Sequence, residues 1–221
     1  MKKITLAATG LALMASASSN AMMGGAFDGA YLGLRAAHQW HSSDLKKELG
    51  DKNSKSLDAN TFAGDFVVGW MSGTDWTYGL EVFGGYGSGK DKGDTAGSSG
   101  QNVNGTIDRK WRYGLDLLAG HKFMQDLSGY VKVGIHATVT DFKASYATTG
   151  TNAWKSNNRH IPAVAAGLGV KYALNQDFSL DVGYTYEYDL TSKDYKVGGV
   201  KTAKFEEGDA HQAHVGVTFT F

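Results

Sequence analysis

From Ala30 to Phe221, apolar and polar side chains alternate with a period of two in eight separate stretches, near 30–40, 62–70, 76–86, 111–123, 131–140, 164–172, 178–188 and 210–221. In the first, Ala30, Leu32, Leu34, Ala36 and Trp40 alternate with Tyr31, Gly33, Arg35, Ala37 and Gln39. In the seventh, Phe178, Leu180, Val182, Tyr184, Tyr186 and Tyr188 alternate with Ser179, Asp181, Gly183, Thr185 and Glu187. Successive side chains of a strand point to opposite faces, so each stretch predicts a strand with one apolar and one polar face. Each is about 10 residues or more, the length a tilted strand needs to cross a membrane. No helical period competes over comparable lengths.

The connections alternate as well. Those at 71–75, 124–128 and 173–177 have hairpin lengths. Those at 43–60, 87–107, 147–159 and 191–209 are long, polar and read as loops. Short turns at one end and long loops at the other predict an all-β, eight-stranded antiparallel up-and-down transmembrane barrel. Its short side and both termini would be periplasmic, with the long loops outside.

A soluble eight-stranded barrel has the same period with the faces exchanged. Three features set the apolar face outward. Aromatic residues end the apolar stripes: Trp70, Trp76 and Phe178 at the short-turn end, Trp40, Trp111 and Tyr188 at the long-loop end. Such girdles mark the two membrane interfaces. Glycine concentrates on the polar face, where a narrow lumen needs room for long side chains. That face also mixes Arg35, Arg112, Lys122, Lys132 and Lys171 with Asp65, Glu81, Asp116, Asp181 and Glu187. Facing lipid at mid-membrane, each Lys or Arg would cost about 2–4 kcal/mol. Facing inward, opposite charges pair, either plugging the barrel or lining a narrow pore.

Composition narrows the function classes. Lys plus Arg and Asp plus Glu number 22 each, for a formal net charge of zero. That argues against a nucleic-acid binder, which usually needs a basic face. Cysteine is absent, which excludes disulfides, thiolate catalysis and cysteine-ligated zinc. Lys2 and Lys3 precede a short apolar run from Ile4 to Met14 and the small residues Ser19, Asn20 and Ala21. This is the pattern of a secretory signal peptide. The expected division is residues 1–21 as signal and 22–221 as barrel, with a cut after Ala17 as the alternative.

Catalytic chemistry finds thin support. His41 and Ser43, with Asp44 and Glu48 following, have the residue types of an acyl-transfer set, yet such residues are common in polar loops. His136 and His214 fall on the polar face and read as parts of an interior hydrogen-bond network; His38, His121 and His211 fall on the apolar face near strand ends. No spacing matches zinc or calcium ligation. Gly87-Ser88-Gly89-Lys90 lacks the full spacing of a phosphate-binding loop and leads to no helix. No catalytic, metal or cofactor site is assigned.

The chain closes on Val215, Val217, Phe219 and Phe221 at alternate positions. This resembles the C-terminal insertion signal of bacterial outer-membrane proteins, which implies the barrel-assembly machinery as a partner. Residues Phe27 to Leu34 resemble the first strand of small outer membrane protein beta-barrel domains. Those are similar to OmpA-type transmembrane domains and opacity-like surface antigens. The resemblance implies an outer-membrane surface protein in contact with lipid and lipopolysaccharide. Its expected role is structural and non-enzymatic, with no periplasmic domain and with loops, including Trp154, for adhesion to a host or surface ligand. A small porin-like channel is the alternative. A lipid A-modifying enzyme is a third reading.

Overall fold

In the computed structural model, described residues are 27–46, 55–96, 102–146, 152–190, 192–197, 200–206 and 209–221. Residues 1–21, expected as the signal, lie outside them. Ten strands follow in order: β1 (Gly29–Lys46), β2 (Lys55–Ser72), β3 (Trp76–Ala96), β4 (Asn102–Lys122), β5 (Leu127–Tyr146), β6 (Asn152–Ala173), β7 (Phe178–Asp189), β8 (Ser192–Val197), β9 (Val200–Glu206) and β10 (Ala210–Thr220). Each of β1 to β7 pairs antiparallel with the next, β7 pairs with β10, and β10 pairs with β1 from Tyr31↔Thr220 to His41↔Ala210. Eight strands therefore close a barrel, and its wall has no free edge. Closure is what lipid demands, because no water is present to satisfy an open backbone edge. Among the described residues, no helix is long and apolar enough to cross a membrane.

The burial pattern follows the alternation. Leu34, Leu117 and Ile135 are 68%, 59% and 64% exposed, whereas Glu81, Asp116 and Asp181 are fully buried. This is the reverse of a water-soluble protein, and it places the apolar face toward lipid.

The short turns have specific chemistry. Asn175 Oδ1 accepts hydrogen bonds from the backbone of Asp177 at 2.9 Å and Phe178 at 2.8 Å, a side chain standing in for a turn carbonyl. Gly73, between β2 and β3, has a φ of +137° and sits where a Cβ would strike the Trp76 carbonyl. Only glycine takes that conformation without strain.

The long connections differ from expectation. Much of what reads as loop in the sequence is paired strand: β1 runs on to Lys46, β3 to Ala96 and β5 to Tyr146, each with its neighbour alongside. Between β7 and β10 lies the β8–β9 hairpin, and β9 joins the far end of β1 at Asp44↔Glu206 to Lys46↔Lys204. The barrel wall thus continues beyond the girdles as a polar sheet. Pro162 marks a break in that continuation. The β6–β7 ladder begins at Ala163↔Asp189, and the last bond is Leu190 N–H to the Pro162 carbonyl, 2.9 Å. Proline has no N–H to continue the ladder on that side, as expected at a strand edge.

Substituting Leu117→Arg should destabilise the barrel by about 2–4 kcal/mol in lipid vesicles, whereas Thr138→Ser should cost far less. Urea unfolding of vesicle-refolded protein checks the difference, and equal costs would mean that the faces are misassigned.

Candidate functional site: the barrel lumen and its rims

The lumen is built by the inward residues of the period-two pattern. Three groups of charges meet there. In the first, Arg35 from β1 reaches across to β3 and β7. Its guanidinium donates to Glu81, with Nη2 to Oε2 at 2.5 Å, and to Asp181 Oδ2, with Nε at 2.9 Å. Tyr31 donates to Glu81 and Tyr130 to Asp181, each at 2.8 Å. Lys171 Nζ lies 3.7 Å from Asp181 and 4.6 Å from the centre of the Tyr31 ring. Both tyrosines lean over glycine: a Cβ at Gly69 would overlap the Tyr31 ring, and one at Gly169 the Tyr130 ring.

In the second group, Lys132 Nζ donates to Asp116 Oδ2 at 2.9 Å. His136 stands between two carboxylates, with Nε2 2.9 Å from Asp116 and Nδ1 2.7 Å from Glu187. A ring flanked on both nitrogens by ionised carboxylates bonds to both only as the imidazolium. Gln39 Nε2 donates to the other Glu187 oxygen at 2.9 Å.

The third group is a fork: Arg112 pairs bidentately with Asp65, Nε to Oδ1 at 2.8 Å, and donates to Gln212 at 2.7 Å. Such two-pronged pairs fix geometry as well as charge. Counted with His136, the cations Arg35, Arg112, Lys132 and Lys171 balance Asp65, Glu81, Asp116, Asp181 and Glu187.

Lys122, expected among these charges, stands apart. It is partly exposed at the short-turn end and donates to the Gly73 carbonyl at 3.0 Å. Its position on the last residue of β4 brings it to the turn rather than to a carboxylate. Tyr31, Tyr130, Gln39 and Gln212 carry hydrogen bonds that charge alone did not single out. Tyr130 shares the parity of Lys132, and that parity is the signal available for it. An apolar cluster of Phe27, Tyr31, Val67, Met71, Phe83, Leu118 and Tyr130 fills the lumen beside the ion pairs. A cavity of about 10 Å³ remains between Phe27, Met71 and Lys171, room for about one water.

His41 turns into the lumen and is buried. The side chain of Ser43 and the whole of Glu48 lie outside the described residues, as does the side chain of Trp154. His136 and His214 lie in the lumen, with His214 Nε2 3.3 Å from Tyr130 Oη. Among the described residues, no group of three or more His, Asp or Glu side chains is arranged to hold a metal ion.

Outside, Trp40, Trp70, Trp76, Trp111, Phe178 and Tyr188 are all exposed on the lipid side. Histidines join these belts. His38 stacks on Phe62 at 4.2 Å, and His121 packs against Trp76 at 4.7 Å. Val215, Val217 and Phe221 face outward. Phe219 packs between Phe178 and Phe221, ring centres 5.1 and 5.0 Å away. The Phe221 N–H bonds the Ala30 carbonyl at 2.8 Å, so the final residue is part of the closing seam.

Removing one partner of a buried ion pair strands the other, which typically costs 3–5 kcal/mol. Arg112→Met should therefore destabilise the barrel by about that amount, and adding Asp65→Asn should recover much of it. A double-mutant cycle by urea unfolding checks the pair.

Comparison with known proteins agrees with this architecture. Among curated proteins none matches the chain. Of solved structures, the outer membrane protein OprG from Pseudomonas aeruginosa is 16% identical with a TM-score of 0.59, covering 89% of this chain and 98% of its own. The outer membrane protein AlkL, determined in lipid bilayers, is 17% identical with a TM-score of 0.52, covering 88% and 90%. Neisserial surface protein A is 18% identical with a TM-score of 0.45, covering 87% and 97%. For OprG and AlkL, at these identities, the likeness concerns the fold. The family model described as outer membrane protein beta-barrel domain matches residues 7–221. With that match over nearly the whole chain, the protein belongs to the outer membrane protein beta-barrel domain family.

Proposed function

We propose that this protein is a non-conducting, non-enzymatic surface barrel, exported by its N-terminal signal and displayed with both termini in the periplasm. The observation that carries this reading is the lumen: its charges are paired with one another, and an apolar cluster occupies the space beside them. A conducting pore of the porin type needs a water-filled lumen. Here the space is taken by side chains, as eight strands allow. The barrel then serves as a rigid mount, and the extended sheet beyond the outer girdle presents the contact surface for a host or neighbouring-surface ligand. Lipid and lipopolysaccharide meet the girdles. The Val215, Val217, Phe219, Phe221 stripe meets the assembly machinery during insertion. The porin-like alternative draws on the same charged lumen, and the lipid A-modifying one on His41 and Ser43.

In a planar bilayer the refolded mature protein should be electrically silent, with folding confirmed by heat-dependent gel migration. Replacing Asp65 and Arg112 together by serine should open discrete conductance. Stable wild-type channels would favour the porin reading. Lipid A modification abolished by His41→Ala would favour the enzyme.

A further inference from the structure

In the lumen Arg35, Arg112 and Lys132 donate directly to carboxylates; Lys171 does not. It is 3% exposed. Its Nζ lies 3.7 Å from Asp181 Oδ2, beyond hydrogen-bond length, and 4.6 Å from the centre of the Tyr31 ring. Asp181 has its oxygens on other donors, Arg35 Nε at 2.9 Å and Tyr130 Oη at 2.8 Å. An ammonium carries three N–H donors. A ring face and a carboxylate held at ion-pair distance leave them without an acceptor at bonding distance among the described residues. Buried polar groups are ordinarily hydrogen-bonded, and a charged one without an acceptor is costly.

The acceptor has a place beside it. Lys171 lines the cavity of about 10 Å³ together with Ser179 and Thr218 on its polar side and Phe27, Tyr31 and Met71 on its apolar side. The ladder brings these residues to the short-turn end: Lys171 pairs with Asp181, and Ser179, two residues earlier on β7, pairs with Thr218 on β10. Ser179 Oγ and Thr218 Oγ1 are 2.7 Å apart. One hydroxyl donates to the other, and the second keeps its hydrogen for a further acceptor. The Thr218 methyl lies against Gly33, where a Cβ would overlap it, which leaves the hydroxyl on the Ser179 side. The space is about that of one water and too small for a polyatomic ion. A halide there would lie beside the Asp181 carboxylate, 3.7 Å from the same Nζ, so a neutral acceptor fits better than an anion.

We infer that this cavity is a binding site for a single water molecule, which accepts from Lys171 Nζ and from the Ser179–Thr218 hydroxyl pair. The water supplies the acceptor at bonding distance that the ammonium needs, and it keeps Lys171 off Asp181, whose oxygens serve Arg35 and Tyr130. The site goes beyond the closed-barrel reading: it gives the packed lumen one wet point, next to the β6–β7 turn.

The test is a crystal structure of the mature protein, refolded in detergent, at a resolution that shows ordered water. Density for one water is expected within hydrogen-bond distance of Lys171 Nζ and of the Ser179 or Thr218 hydroxyl. A second crystal grown in sodium bromide separates water from a halide: the cavity should give no anomalous bromide signal. The Ser179→Ala, Thr218→Val double variant removes both hydroxyls with little change of volume, so it should fold, and it should lose the water. A cavity without density, an anomalous bromide peak, Lys171 bonded directly to Asp181, or a water that stays fully occupied in the double variant would each overturn the assignment. None of these outcomes alters the expectation of a silent bilayer, so this site and the closed lumen fail separately.

Discussion

Everything in this barrel depends on one constraint: a backbone crossing lipid must satisfy all its hydrogen bonds internally. The β1–β10 seam meets it. All eleven residues of β10 lie along β1 and ten of them along β7, and even the terminal Phe221 bonds back to Ala30. Once closure is imposed, the alternation of side chains follows. One face must be apolar because it meets acyl chains, and the other must fit inside a ring of eight strands.

That second requirement shapes the lumen. Five carboxylates cannot sit in so narrow a space uncompensated, since an unpaired buried charge is costly. The compensation runs between strands that are not neighbours as well as within the β4–β5 hairpin, where Lys132 meets Asp116. Arg35 on β1 answers Glu81 on β3 and Asp181 on β7; His136 on β5 answers Asp116 on β4 and Glu187 on β7. Such pairs tie together strands that are not neighbours in the wall, and Arg112 on β4 reaches Gln212 on β10 at the opposite side. Glycines at 69 and 169 let two tyrosines cross the space and reach those carboxylates. The result is a barrel whose interior is as tightly packed as its wall is closed.

The strands, the outward face and the inward charges were legible in the sequence, because lipid and a narrow lumen both impose period two. Which charge pairs with which was not, since register across the barrel has no local signature. Nor were the extended strand ends. At 55–60 and 87–96 the sequence carries no apolar stripe to betray a strand. The bulge at Lys110 defeats simple parity as well, bringing Arg109 and Arg112 inward although they lie three residues apart. Lys122 has the parity of the lumen but sits at its very end, where a turn carbonyl is the nearer partner.

The most direct measurement is the protonation and exchange of His136 in the bilayer, by nitrogen-15 NMR of selectively labelled protein. A lumen filled by ion pairs predicts an imidazolium with both ring N–H signals visible and exchanging slowly with bulk water. A neutral ring, or one whose protons exchange as fast as those of a solvated histidine, would mean that water runs through the barrel and that the paired, closed interior is wrong.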